Sequence, residues 1–568
     1  MHLPIMAVSD NVFRGTDSVA DFYDPDKNPP LPLVEIPERL NPYRQDGVRI
    51  YAKMLTHLPA QNVKSLPALK MLRGIPEAQD KAIVEASSGS TVLSLGIIAR
   101  VLWGHENVNA YVTNKKHPES LNLLRFFGIT PHLYGGLAQQ EPTDESGIMC
   151  RLRRLAANQD DTTYPGQYDN ENNWKAHEQW TGPQILRQLP EINILCTTVG
   201  TGGCITGTAS YLKAQKPSCR TLGVFNVFGD PTPGPRHFQG FNTCGFPWTQ
   251  NVDTFVEVPS TDSFRMSMKL TREGLIAGPS SGQALKGLLD YLGQLKKTGT
   301  LTQLADETTG EVSCVFTCSD LPYQYLPQYF EKLDAEEFPP IENKILLQCD
   351  QARHDERWIL EPAQVAAMLR LTPSPSQSPH KNETNISSTS LDSSLEPPQT
   401  PATTRPPTIW STLRSCLAGL FHPSPPTPTS PPANHHPVCC TAHPTPPTNT
   451  TTTTPLIIDL RPTPSFSTNH IPHSLPLALE ALTPSQRAAG DLFGDPDAIH
   501  RAWTGIQALV SRPEVGAVLE RVKREGRAVL VVCEDGDAGR LGTATLRERG
   551  VEAFSVKGGW RGLGGVSA

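Results

Sequence analysis

The sequence of 568 residues has no apolar run long enough to cross a bilayer, no block of like charge, and no closely spaced cysteine pair that recurs elsewhere. The first absence argues against a membrane-spanning helix. The opening residues, MHLPIMAVSDNVFRG, also lack the apolar core of a secretory signal and the Arg-rich, acid-poor character of a transit peptide. Net charge is only -7 with both signs scattered, so neither a nucleic-acid footprint nor a solvating acidic tail is present. Of the 12 cysteines only Cys314/Cys318 and Cys439/Cys440 lie close together, which does not supply the paired spacing a zinc site needs. We therefore expect reduced thiols, no metal, no membrane or nucleic-acid partner, a small-molecule substrate and a cytoplasmic location, with mitochondrial import by an uncleaved signal left open.

What is present is an alternation. From about residue 31 to 333, short β-branched or apolar runs such as VNAYVT (Val108 to Thr113) and INILCTTVG (Ile192 to Gly200) alternate with helix-period segments. TVLSLGIIARVLWG follows Ser90 and ITGTASYLKAQK follows Cys204. This is the pattern of an α/β fold with parallel-rich sheets. Between about residues 372 and 454 the composition turns to Pro, Ser and Thr, too poor in apolar surface to offset the entropy of ordering, so disorder is expected there. Within it, IWSTLRSCLAGLF (409–421) has apolar residues at helical spacing. Beyond it, PLIIDLRP, AIHRAWTGIQALV, VGAVLERVKREG, RAVLVVCEDG and VEAFSVKGGW read as strands and helices of a small second α/β domain.

Three glycine- or serine-rich turns are expected where strands give way to helices, the geometry that offers backbone N–H groups to an anion. They are EASSGST (85–91), GTGGCITG (200–207) and AGPSSGQA (277–284), preceded by LPAQNVKS with Lys64 just before a helical run. Together with QYDNENNWKAHEQWTGPQIL (167–186), this ordered series resembles the cysteine synthase and cystathionine β-synthase family of fold type II pyridoxal-phosphate enzymes. The resemblance covers residues 31–333. It implies pyridoxal 5'-phosphate as cofactor, held by Lys64 as a Schiff base, with the phosphate on Gly200, Thr201, Gly202, Gly203 and Cys204 and the pyridine nitrogen on Ser280. It further implies that Ser87, Ser88, Thr91 and Gln167 grip the substrate carboxylate, and that Ser90 faces the cofactor 3′-oxygen.

The sequence departs from the family's usual residues at four positions. Ser90 stands where asparagine is usual, Cys204 where threonine is usual, and Ser65 and Leu66 where an acidic, amide or thiol residue and an arginine are common. Cys204 removes a hydroxyl donor but leaves the backbone cradle, so weaker phosphate binding is expected. The reaction implied is β-replacement: an activated serine such as O-acetylserine loses its leaving group to give an aminoacrylate, and sulfide or another sulfur donor adds to form cysteine, the implied partners being small molecules and a second copy of the chain in a homodimer. Two other readings stand beside it: a cysteine β-lyase or desulfhydrase, and a catalytically decayed interaction or regulatory protein.

LIIDLRP (456–462), NHIPHSLP (469–476) and the segment from Val529 through Trp560 resemble a rhodanese domain, and WILEPAQVAAMLRL (358–371) resembles its opening helix. The second domain is thus expected over residues 356–568, with the Pro/Ser/Thr-rich stretch inserted in it, at little cost in loop entropy. The resemblance makes Cys533 the carrier or sensor of sulfane sulfur. Glu534, Asp535 and Asp537 crowd its loop, with Arg540 the nearest cation, and such a loop is expected to disfavour a thiolate and repel anionic donors.

Overall fold

A computed structural model describes residues 11–87, 89–116, 118–136, 140–240, 245–352, 354–369, 454–480 and 492–564. Ser88, the segment 409–421, and the stretch expected to be disordered as far as residue 453 lie outside the described residues. The chain divides into two compact units, Met1–Pro339 and Pro340–Ala568.

In the first unit the described strands are β1 (Leu33–Glu35), β2 (Val48–Met54), β3 (Ala82–Ala86), β4 (Val108–Thr113), β5 (Thr130–Tyr134), β6 (Thr162–Thr163), β7 (Ile192–Thr198), β8 (Arg220–Asn226), β9 (Thr254–Val258) and β10 (Val312–Cys318). They form a six-stranded sheet ordered β1-β2-β10-β7-β8-β9 and a four-stranded sheet ordered β5-β4-β3-β6. Every pairing is parallel except β1 with β2. Parallel strands covered on both faces read as unbroken apolar runs, and all seven residues of β10 are buried accordingly. One core gathers Ile50, Ile194, Leu222, Val224 and Phe316 under the helix Pro279–Lys297. A second packs Ile83, Val108 and Ala110 against Ser65–Arg73 and Ser90–Trp103. The strands and helices expected around VNAYVT, INILCTTVG, Ser90 and Cys204 are all present.

One expectation needs correction. The turn AGPSSGQA does not follow a strand: it joins the helices Ser260–Arg272 and Pro279–Lys297. Gly278 is extended and Pro279 holds the first helical position, where its missing N–H costs nothing, so local turn chemistry starts the helix without a strand before it.

The second unit carries β11 (Ile359–Leu360), β12 (Leu456–Asp459), β13 (Leu475–Pro476), β14 (Val529–Val532) and β15 (Ala553–Val556), all parallel in the order β11-β15-β14-β12-β13. β11 lies before residues 370–453 in the chain and β12 after them, yet both belong to this one sheet. Val365 of the helix Pro362–Leu369 is fully buried against Ile457, Leu530 and Val556.

Candidate active site

In open parallel sheets ligands bind beyond the carboxyl ends of the strands. β3 ends in the EASSGST turn and β7 in GTGGCITG, so both turns lie at such ends. Gly202 has a positive φ of 83° and caps the helix Gly203–Gln215, whose first N–H groups face the loop. Gly207 allows close helix packing, because a Cβ there would lie 1.9 Å from the Trp174 carbonyl oxygen. A Cβ on Gly203 would meet the Asn173 Oδ1 at 2.2 Å.

Lys64 sits at the start of the helix Ser65–Arg73, its backbone N–H held by the Asn62 side chain at 2.9 Å. Its Nζ donates to Thr201 Oγ1 at 3.4 Å. Burial holds this amine below its ordinary range, which favours the neutral, nucleophilic form. Thr201 Oγ1 also accepts from Asn173 Nδ2 at 3.1 Å, and the same amide donates to the Gln167 carbonyl at 2.5 Å. Gln167 in turn accepts from Thr91 Oγ1 at 2.6 Å and donates through Nε2 to the Ala86 carbonyl at 3.0 Å. One chain of polar contacts therefore joins Lys64, Thr201, Gln167 and Thr91. Ser87 Oγ accepts from the Gly89 N–H at 3.4 Å, and Ser90 opens the following helix.

Ser280 is 5% exposed, and its hydroxyl has no protein partner among the described residues, although it is not sealed. Gly234 approaches it, a Cβ there lying 3.9 Å from that of Ser280, and the Gly234 carbonyl oxygen would be 2.9 Å from a Cβ on Gly200. Thr197 Oγ1 donates to Cys204 Sγ at 3.8 Å, and burial pushes this thiol up against the opposing pull of Thr197 and Lys64.

Several residues that the fold brings to or beside these turns went unnoticed in the sequence. Asn173 lies within the quoted 167–186 stretch, but its bridging role depends on a contact 28 residues away. Glu85, wholly buried, accepts the N–H groups of Ala86, Gly166 and Gln167, yet desolvation pushes its carboxyl up to about 8. A carboxylate inside an apolar strand was the available signal. His177 is fully buried in a π-helical turn, with Nδ1 and Thr181 Oγ1 2.9 Å apart. Burial, then the Lys64 charge, lowers its pKa to about 3.

In the second unit Cys533 is 3% exposed at the end of β14, and its sulfur accepts the N–H groups of Gly536 and Gly539 at 3.1 Å each. The acidic loop is tied into local structure. Glu534 pairs with Arg561 at 3.2 Å, Asp535 accepts the Asp537 N–H, and Asp537 accepts the Leu492 N–H. Behind the loop, Asp459 and Arg461 form a buried ion pair at 2.7 Å, and the Arg461 guanidinium lies 3.8 Å from the centre of the Trp560 ring.

Residues 27–306 match the family described as pyridoxal-phosphate dependent enzyme. The N-(2-amino-2-carboxyethyl)-L-glutamate synthase of Ralstonia nicotianae is 30% identical over 269 residues, covering 44% of this chain and 76% of that protein. The chain belongs to the pyridoxal-phosphate-dependent enzymes. Within this family it is cysteine synthase-like: a cysteine synthase of Aquifex aeolicus is 28% identical over 277 residues, 47% of this chain and 82% of that protein. A solved hydrogen sulfide-producing enzyme from Fusobacterium nucleatum aligns with a TM-score of 0.45 at 24% identity, covering 57% of this chain and 99% of that one. Residues 448–564 match the rhodanese-like domain. The cofactor of this family is pyridoxal 5'-phosphate, and the residues fit it. They offer a desolvated amine, a glycine-lined cradle at a helix start, and an unengaged hydroxyl on Ser280.

Proposed function

We propose that the first unit performs β-replacement on an activated serine of the O-acetylserine type, exchanging its leaving group for sulfide to make cysteine. The observation that carries this reading is the position of the Lys64 amine. It is desolvated, within 3.4 Å of Thr201 in the glycine loop, and linked through Asn173 to the Gln167–Thr91 pair. When bound, pyridoxal 5'-phosphate supplies an aldehyde to join the amine and an electron-withdrawing ring that acidifies the substrate Cα.

Lys64 would hold the cofactor and then move the proton at the substrate Cα. Gly200, Thr201, Gly202, Gly203 and Cys204 would hold the phosphate, Ser280 the ring nitrogen, and Ser90 would stand beside the ring oxygen. Ser87, Ser88, Thr91 and Gln167 would orient the substrate carboxylate through hydroxyl, amide and backbone donors. In the second unit, over residues 356–568, Cys533 would carry or sense sulfane sulfur, its sulfur steadied by two N–H groups.

The test is the visible spectrum of the purified full chain with pyridoxal phosphate, followed by product analysis with O-acetylserine and sulfide. We expect an absorption band from the lysine-linked cofactor, cysteine as product, and loss of both in Lys64→Ala with an unchanged circular dichroism spectrum. Release of sulfide and pyruvate from cysteine without net synthesis would replace this reading with a β-lyase. Absence of the band would overturn the catalytic reading altogether.

A further inference from the structure

Arg236 is 6% exposed, and among the described residues no carboxylate pairs with it. Its Nε donates to the Tyr168 hydroxyl at 3.1 Å, and its guanidinium carbon lies 4.8 Å from the centre of the Tyr168 ring. The two terminal nitrogens have no protein acceptor among the described residues, yet they are not sealed from solvent. Burying a guanidinium without a counter-charge is costly, and it is tolerated where an anionic ligand completes the site.

Its place in the fold is defined. The Arg236 N–H donates to the Val199 carbonyl at 2.9 Å and its own carbonyl accepts the Asn226 N–H at 2.8 Å, so the backbone is fixed on both sides. Val199 directly precedes the glycine loop, and Gly234, two residues before Arg236, lies close enough to Gly200 and Ser280 that a Cβ on Gly200 would be 2.9 Å from its carbonyl oxygen and a Cβ on Gly234 itself 3.9 Å from that of Ser280. Tyr168 follows Gln167 and shares an apolar cluster with Tyr134, at the carboxyl end of β5. The nearby acidic groups are already committed. Asp169 makes two hydrogen bonds to Arg153, at 2.7 and 2.8 Å, and Glu85 accepts three backbone N–H groups. A cation on a fixed backbone thus lies against the Tyr168 ring, with Tyr134 in the same cluster as that ring.

We propose that Arg236, with Tyr168 and Tyr134, forms an anion subsite. It binds a carboxylate or phosphate that one of the two substrates carries in addition to the α-carboxylate held by Thr91 and Gln167. The subsite deepens the β-replacement reading and rests on it. The anion comes either from the leaving group of the first substrate or from the nucleophile, and planar two-point binding by a guanidinium suits both.

The experiment uses the full chain with bound pyridoxal phosphate in two arms. In one, O-phospho-L-serine is compared with O-acetyl-L-serine at fixed sulfide. In the other, L-glutamate is compared with sulfide at fixed O-acetyl-L-serine. We expect the native protein to use the anion-bearing substrate in one arm. Arg236→Gln should lower kcat/KM for it by about ten-fold or more beyond the loss for its neutral or smaller counterpart, chiefly through KM, and Arg236→Lys should recover part of the loss. Equal losses for both members of each pair, or no use of either anion-bearing substrate, would overturn the subsite. If none of these substrate pairs gives product, it is the β-replacement reading that fails. Calorimetric titration of inorganic phosphate and of L-glutamate into the native chain then decides the subsite, with binding and its loss in Arg236→Gln supporting it and no binding refuting it. If Arg236→Gln does not fold, protection of the native Arg236 from phenylglyoxal by phosphate or glutamate, mapped by mass spectrometry, supports the subsite, and unprotected modification refutes it.

Discussion

Thr91 Oγ1 donates to Gln167 Oε1 across 2.6 Å, joining the first turn of the helix Ser90–Trp103 to the segment that carries Tyr168 and Asn173. Both residues are buried, 3% and 5% exposed, so losing the hydroxyl leaves an amide oxygen short of a partner. Thr91→Val should cost about 1–3 kcal/mol of stability by that route. It should also raise KM for the amino-acid substrate more than it lowers kcat. Urea unfolding and steady-state kinetics check the two effects separately.

Glu85 gives a pH dependence with a definite sign. Its carboxyl is raised from the ordinary 4.5 to about 8 by desolvation, so the folded state keeps the proton that the unfolded state releases. Stability from this group is full below pH 4.5 and is lost as pH rises from there through about 8. Thermal melts across this range should show a decline in the native chain that is shallower in Glu85→Gln, which keeps the shape without the ionisation.

The Asp459–Arg461 pair, with side chains 1% and 2% exposed, should be costly to break from one side. Arg461→Leu leaves a buried carboxylate without its cation and should destabilise the second unit by about 3–5 kcal/mol. Hydrogen exchange across β12 and β14 during a urea titration reads the loss, and exchange across β7 and β10 should stay near native.

Cys533→Ser should abolish sulfur transfer from thiosulfate to cyanide while leaving the visible band of the cofactor in place. Sulfur transfer that persists in this variant would move the carrier role to another thiol.

The α/β architecture was legible because buried parallel strands such as β7 and β10 leave long apolar runs, and glycine turns punctuate the boundaries between strands and helices. Lys64, Thr201 and Gln167 were legible as motif positions, but Asn173, which bridges the last two, was not, because a bridge depends on three-dimensional approach rather than spacing. The acidic loop shows the same limit. In sequence Glu534, Asp535 and Asp537 look like a charge set around Cys533; in the fold Arg561 takes up Glu534 and Asp537 accepts the Leu492 N–H, while Asp535 stays against the sulfur, accepting from the Cys533 thiol at 3.9 Å as well as from the Asp537 N–H. Arg236 reads as an ordinary loop cation until the fold places it over Tyr168 without a carboxylate partner among the described residues.

The pairing of β11 with β15 has a practical consequence. The peptide link through residues 370–453 enters and leaves the same sheet, so a single cut within it separates the chain covalently without separating that sheet. A protein nicked there should run as one species under native conditions and as two fragments in denaturant. The larger amino-terminal fragment would retain every residue assigned to the cofactor site, while the smaller would carry Cys533.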